Sequence, residues 1–484
     1  MTEPSHAATA VIEAEVREGT YGDKVVAVEP GGAEFIPLHD RHGKPHQQFW
    51  TWVSPNMEFA TIFVGIIGVW FFGQSFWMAA LAIVLGTALG SLSMGALAAR
   101  GPLFGVPQMV LSRIGFGYLG NILPAGLNAV VAGIGWFAVN SVSGAFALNA
   151  LLGWNTKICL LIIVLLQVTV AFFGHNLVQT FERWAFPFLV VVFAIASVVI
   201  VSKAHPGTHA AGVPGGFLIT LGAAFGYAAG WNPYASDYTR YLPPDTNRRA
   251  TGLWAGLGVF LSCVALELVG AAAATITSAG KFEANPTAGF TSHLPTGVAD
   301  VTLLAIALGA VCANALNIYS GSMSFLALGI KLPMTLRRAI VALAFGVAGF
   351  FLALSGLHDV GAKYNNFLLV IAYWIGPWLG VIFTDQFLRR GKRVDGLLFD
   401  HKHRPWAGFV AMAIATVVSI IFFANQTEYV GVVPKHIAGF GDIAFEVGFV
   451  LAALLYALFF KVQGEARVEE VLHIPDEPLA VPAD

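Results

Sequence analysis

Long apolar runs alternate with short polar stretches from about residue 50 to residue 461. A bilayer core of roughly 30 Å takes about 20 apolar residues per helix. Windows of that size predict twelve spans: 50–73, 76–99, 118–152, 157–174, 184–202, 214–236, 251–278, 297–329, 337–355, 364–388, 406–424 and 442–461. The length of the third and eighth runs implies tilt or extension past the bilayer. The expected organisation is an N-terminal tail (1–49), a twelve-helix domain (50–461) and a C-terminal tail (462–484). Met1–Gln48 has no apolar h-region of a signal peptide and reads as a soluble tail, disordered up to about Ile36.

Composition narrows the class. Of 484 residues, 57% are hydrophobic and 11% charged, against roughly 25% charged in soluble domains. That excludes an ordinary cytosolic enzyme. A net charge of −2 gives no electrostatic case for a nucleic-acid partner. Cys159, Cys263 and Cys312 lie in apolar runs and read as small core hydrophobes.

Charge placement orients the spans. With the N-terminus inside, Lys157, Lys203, Lys281, Lys363 and Lys435 fall outside, and all other Lys and Arg fall in cytoplasmic segments. The positive-inside rule predicts this asymmetry. It implies an even number of spans in the cytoplasmic (inner or plasma) membrane, with both termini cytoplasmic.

Two spans are interrupted. Ser54-Pro55-Asn56-Met57-Glu58 breaks the first and Gly226-Tyr227-Ala228-Ala229-Gly230-Trp231-Asn232-Pro233 the sixth. Pro costs about 3 kcal/mol and Gly about 1 kcal/mol in a helix interior. Freed backbone groups at membrane depth need protein, water or ligand partners. The sixth span begins a second group of five, so the breaks occupy corresponding positions in two halves. Paired broken helices point to a midplane site in an inverted-repeat transporter.

Gly230-Trp231-Asn232-Pro233-Tyr234-Ala235-Ser236-Asp237-Tyr238-Thr239-Arg240-Tyr241-Leu242-Pro243 resembles the signature that ends the sixth span of the nucleobase–cation symporters, purine–cytosine permease branch. Gly135–Asn140 and Ala313–Ser320 resemble that family's third and eighth helices, and the resemblance covers residues 45–460. It implies an all-α membrane protein of the LeuT type: two inverted five-helix repeats plus two helices, with helices one and six broken. It also implies substrate contacts from Trp136 and Asn140, and from either Asn314 or Asn317.

The residue chemistry agrees with that implication. A nucleobase needs aromatic planes for its faces and amides for its edge. Trp136 and Asn140 are four residues apart and share a helix face, as do Asn314 and Asn317, three apart. Phe225, Gly226, Tyr227, Gly230 and Asn56 lie at the breaks and complete the candidate substrate set. Glu58 follows the first break. It is a candidate for the coupling proton or for accepting base N–H groups, and Glu267 is a second proton candidate. Asp237 is expected near the surface beside Arg240, and Asp385 in a solvated or interfacial pair with Arg389.

Sodium-coupled relatives place adjacent Ser and Thr hydroxyls on helix eight. Here Val311-Cys312-Ala313 offers none, which favours a proton over sodium, with Ser320 or Ser322 as fallback ligands. No other cofactor is expected. Gly115-Phe116-Gly117-Tyr118-Leu119-Gly120 matches G-x-G-x-x-G but follows no strand, so a flexible turn is expected rather than a dinucleotide site. His175, His205, His209, His293, His358, His401, His403 and His436 are expected at the surface, without metal-ligand spacing. Two readings follow: a secondary transporter of cytosine, a purine or a related heterocycle such as hydantoin, allantoin or uracil, or a membrane receptor or channel without coupling.

Overall fold

Twelve apolar helical segments follow one another in the predicted order in the computed structural model, which describes residues 11–14, 16, 32–172, 175–208, 212–330, 334–464 and 471–473. They are α1a (Gln47–Asn56) with α1b (Phe59–Phe71), α2 (Phe76–Ala98), α3 (Ile122–Leu152), α4 (Thr156–Phe172), α5 (His175–Lys203) and α6a (Gly216–Ala229) with α6b (Ala235–Thr239). After these come α7 (Arg248–Ala274), α8 (Thr296–Leu326), α9 (Met334–Gly356), α10 (Val360–Leu388), α11 (Ala407–Phe423) and α12 (Ala444–Gln463). Among the described residues seven helices are long and apolar enough to cross a bilayer alone, and the α1a–α1b pair, bent by 63°, adds an eighth.

The outer surface accounts for the low charge. Trp77, Leu92, Trp184, Phe387 and Leu454 are exposed large hydrophobics. Such a belt is costly in water and matches a lipid boundary. Inside, α1b packs on α7 and α6a on α2, while α8 packs on α3 and α5. Close approach needs glycine at these crossings: a Cβ on Gly65 would sit 1.7 Å from Glu267 O, and one on Gly270 1.8 Å from Ile62 O. Small residues let membrane helices meet backbone to backbone in this way.

The first break falls at the predicted residues. Ser54–Asn56 close a 3-10 turn, and Glu58 is extended before α1b begins. The sixth helix breaks later than expected. Gly226–Ala229 remain helical, and the chain departs from α-helix only from Gly230 to Tyr234. Gly226 serves packing instead: a Cβ there would lie 2.2 Å from Leu368 O on α10.

The tails also differ from expectation. Ala33, Phe35 and Ile36 are buried, and Ile36 N–H donates to Gly105 O at 2.9 Å. Arg41 donates to Pro102 O at 2.9 Å, and Arg240 to Gly32 O at 2.8 Å. Apolar side chains and backbone partners thus fix residues 32–41 against the bundle, where polarity alone suggested disorder. Two three-residue strands, β1 (Val11–Glu13) and β2 (Val471–His473), pair in parallel, a small exception to an all-α chain. Residues 1–10, 17–31 and 474–484 of the expected tails lie outside the described residues.

Candidate functional site

The two breaks are tied to each other by side chains. Asn56 is fully buried; its amide donates to Trp52 O at 2.6 Å, and its Oδ1 accepts Trp231 Nε1–H at 2.9 Å. Thr61 Oγ1 donates to Asn56 O at 2.5 Å and lies 2.5 Å from the Tyr227 hydroxyl. Tyr364 on α10 donates to Ala60 O at 2.9 Å. Side chains of α1 itself, Asn56 and Thr61, together with Tyr364 of α10, satisfy backbone carbonyls around the break, and the α6 groups hold those side chains in place.

Next to this junction stand the aromatic and amide groups. Trp136 ends a π-helical turn, Val131–Trp136, inside α3. Its ring meets Tyr227 edge-on at 5.4 Å and Phe367 at 5.1 Å. One turn on, Asn140 Nδ2 donates to Asn314 Oδ1 at 3.0 Å, and Asn317 Nδ2 donates to the same oxygen at 3.1 Å. Asn314 Nδ2 donates to Phe137 O at 2.8 Å and to Ser141 Oγ at 3.2 Å. Tyr234 donates to Asn317 Oδ1 at 3.1 Å. An amide has two donors and two lone pairs, so Asn314 is saturated by protein. Asn140 Oδ1 is buried with no partner, and Asn317 keeps an unused N–H.

Glu58 is fully buried and neither carboxyl oxygen has a hydrogen-bond partner. The Phe59 and Ala60 N–H groups lie in electrostatic reach. On the α8 side a Cβ at Gly309 would sit 2.3 Å from Met57 O and 2.7 Å from Glu58 Cβ. Helix eight thus touches the first break directly, and Cys312 and Ala313 bring no hard oxygen beside it. Ser322 donates to Ile318 O at 2.6 Å, whereas Ser320 Oγ is buried near Asp237 with no hydrogen-bond partner. Glu267 is buried on α7, where its Oε2 accepts Thr87 Oγ1–H at 2.8 Å.

The structure does not bring every candidate together. Phe225 stacks on Phe445 of α12 at 4.0 Å and 11°, because its helix face turns toward α10 and α12. Gly226 faces the α10 backbone. Gly230 lies under the Trp136 indole, where a Cβ would come within 3.0 Å of Cζ2. Trp231, Thr61, Tyr234, Tyr364 and Phe367 belong to the cluster and were missed. Trp231 and Tyr234 stood inside the fourteen-residue run; Tyr364 and Phe367 carried no signal, since aromatics are frequent in every span.

A cavity of about 580 Å³ adjoins this cluster, lined among others by Phe59, Gly135, Val139, Tyr364 and Phe367. Phe367 both lines the cavity and packs on Trp136. On the opposite side Arg240, fully buried, donates to Gly32 O, to Tyr241 OH at 3.2 Å and to Tyr319 OH at 3.3 Å. Asp237 is buried rather than superficial and accepts Gln108 N–H at 2.9 Å. The Asp385–Arg389 pair, at 2.8 Å, is buried rather than solvated and also takes the Tyr456 hydroxyl at 2.6 Å. His403 is buried too, bonded to Ile114 O at 3.1 Å. His209 lies outside the described residues. The G-x-G-x-x-G run is a packed kink, not a flexible turn: a Cβ on Gly117 (φ 70°) would meet Pro405 Cδ at 2.3 Å. Among the described residues no group of His, Cys, Asp or Glu could hold a metal ion.

Residues 35–448 match the family described as "Permease for cytosine/purines, uracil, thiamine, allantoin". The chain is 28% identical to the purine-cytosine permease fcyB of Emericella nidulans, over 90% of this chain and 91% of that protein. It is 26% identical to the purine-cytosine permease FCY2 of Saccharomyces cerevisiae, over 84% and 80%. Its fold is similar to that of Mhp1, a nucleobase-cation-symport-1 family transporter solved in a closed conformation with bromovinylhydantoin bound. That likeness has a TM-score of 0.68 at 18% identity and covers 92% of this chain and 97% of that one.

Proposed function

The chain belongs to the family of permeases for cytosine/purines, uracil, thiamine and allantoin, and is a membrane transporter rather than an enzyme; from that premise we propose that it imports a purine or cytosine by alternating access, coupled to a proton. One observation carries the reading: the Asn140–Asn314–Asn317 amide cluster stands beside Trp136 and Tyr227, where the two broken helices meet. A flat heterocycle needs this pairing of aromatic surface with directed amides. Asn140 Oδ1 and the spare Asn317 N–H are the groups proposed to meet the base edge, with Asn314 holding both in place.

The inverted repeat is part of the proposal. In support, α1a packs on α7 as α6a packs on α2, and α1b on α7 as α6b on α2, contacts that would exchange under a two-fold relation between the halves. The proposed orientation, both termini cytoplasmic, is supported by the sorting of Lys and Arg. Proton coupling is supported by the buried, unpartnered Glu58 carboxyl and by the lack of hydroxyls at Val311-Cys312-Ala313.

Proteoliposome uptake tests the proposal. Labelled cytosine or hypoxanthine should accumulate against its gradient when the outside is acidified, and an uncoupler should collapse the gradient. Glu58→Gln should abolish accumulation while leaving exchange measurable. Simple equilibration in the wild type would remove the coupling claim, and accumulation retained by Glu58→Gln would move the proton to Glu267.

A further inference from the structure

Buried polar atoms without partners are costly, so those that persist point to a missing partner or a functional role. Near the helix breaks one is a donor, Trp52 Nε1, and the others are oxygens. Both Glu58 carboxyl oxygens and Asn140 Oδ1 are buried with no donor. Glu58 lies in electrostatic reach of the Tyr227 hydroxyl, whose ring meets Trp136 edge-on, and Asn140 is one turn along from Trp136. Glu58 occupies the N-cap position of α1b, where its carboxyl faces the Phe59 and Ala60 N–H groups without completing a capping hydrogen bond, so its oxygens remain open to a further donor.

We propose that the Glu58 carboxyl pairs directly with the hydrogen-bonding edge of the bound base, so that its protonation state selects which edges are accepted. This rests on the reading of the cluster as a nucleobase site. A carboxylate offers two acceptors and no donor; the acid offers one of each. Cytosine and adenine present an amino N–H beside a ring-nitrogen acceptor, and hypoxanthine presents N1–H beside O6. Against a carboxylate, each leaves two acceptors facing one another. Against the acid, both positions pair, the Glu58 proton going into the bond with the base acceptor. Guanine differs. Its N1–H and 2-amino group form a donor–donor edge that matches the carboxylate, while N1–H and O6 match the acid. For cytosine, adenine and hypoxanthine, proton and base therefore bind as one unit, and coupling becomes a property of recognition.

The other groups around Glu58 leave it this role. Tyr227 of α6a is bonded to Thr61, and Tyr364 of α10 donates to Ala60 O. From α7 come Cys263 and Glu267, the latter held by Thr87. Helix α8 meets Glu58 with Gly309, which has no side chain. Helices α1a and α3 carry no titratable residue, and the buried α5 residues Leu189, Val192 and Phe193 are apolar.

Hypoxanthine and guanine differ by the 2-amino group and form the test pair. Calorimetric titration of the purified full chain, across pH and in buffers of different ionisation enthalpy, reads affinity and proton uptake together. Above the titration of Glu58, hypoxanthine affinity should fall about tenfold per pH unit with about one proton taken up. Guanine should fall less steeply and take up less. Glu58→Gln presents a fixed donor and acceptor, so hypoxanthine binding should persist and lose its pH dependence. Equal slopes for the two bases, or pH-independent hypoxanthine binding to the wild type, would overturn the proposal while leaving the base site intact. No binding of any base would overturn the transport reading itself. The wild-type comparison stands even where the variant fails to fold.

Discussion

Trp231 Nε1 donates to Asn56 Oδ1 at 2.9 Å, so one side chain from each broken helix closes the gap between the two breaks. Both residues are buried, and Asn56 also holds Trp52 O. Asn56→Ala would orphan an indole N–H and a backbone carbonyl together. Leaving buried groups unpaired costs roughly 1–3 kcal/mol each, so a clear drop in the thermal midpoint is expected. Trp231→Phe should cost less, because it keeps ring contacts with Trp52 and Tyr234. A double-mutant cycle would isolate the bond. A coupling near zero would mean that the breaks hold their positions independently.

The asparagines separate into a ligand-facing and a structural role. Asn140 makes one hydrogen bond to protein and keeps a free oxygen; Asn314 makes four. Asn140→Ala should therefore weaken base binding by about tenfold or more, the loss of roughly 1.4 kcal/mol or above, with little change in thermal midpoint. Asn314→Ala should lower both affinity and midpoint. Thermal-shift and binding measurements on the same preparations decide. Normal affinity in Asn140→Ala would remove it from the base edge.

Much of this was legible in the chain, and the misses have physical causes. Apolar runs located most of the helices to within a few residues, because bilayer thickness constrains length strongly; α5 starts at His175, nine residues before the expected 184. The first break was readable because Pro55, Asn56 and Glu58 together are too costly for an unbroken helix at membrane depth. The sixth was drawn too early. Glycine marks both helix breaks and close packing, and Gly226 serves the second against Leu368. Phe225 enters the candidate set and leaves it for a related reason: near a break, one residue turns a side chain by about 100°, and only the packing partners reveal which way it faces. The choice between Asn314 and Asn317 needed the hydrogen-bond count. Tyr364 and Phe367 reach the cluster from α10, far along the chain, and no local pattern announces such contacts. His403 and the segment 32–41 look polar in sequence and are buried by tertiary neighbours.

Cation dependence follows from the contact between Gly309 and the first break. Met57 O and Glu58 Cβ lie against the α8 backbone, and the nearby Cys312 and Ala313 side chains add no hard oxygen to those of α1. Uptake into proteoliposomes should be unchanged when choline replaces sodium on both sides at constant pH. A steep sodium dependence would place the ion elsewhere and remove the proton assignment.

His403 supplies a stability prediction outside the membrane-spanning helices. Its ring is buried in the α10–α11 connection and bonds to Ile114 O. Burial, more than the nearby Arg389, pushes its pKa below the ordinary imidazole value, which is about 6.5. Between the lowered value and about 6.5 the unfolded chain binds the proton that the folded chain refuses. Stability therefore rises with pH through that window and is lost as pH falls below about 6.5. His403→Gln removes the titration while keeping a donor for the Ile114 carbonyl. The variant should be somewhat less stable than wild type near neutrality, and the difference should shrink as the solution is acidified, by up to about 1 kcal/mol per pH unit inside the window. Thermal midpoints of both proteins, measured across that range, test it. A gap between wild type and variant that stays constant with pH would show that His403 does not contribute to acid sensitivity.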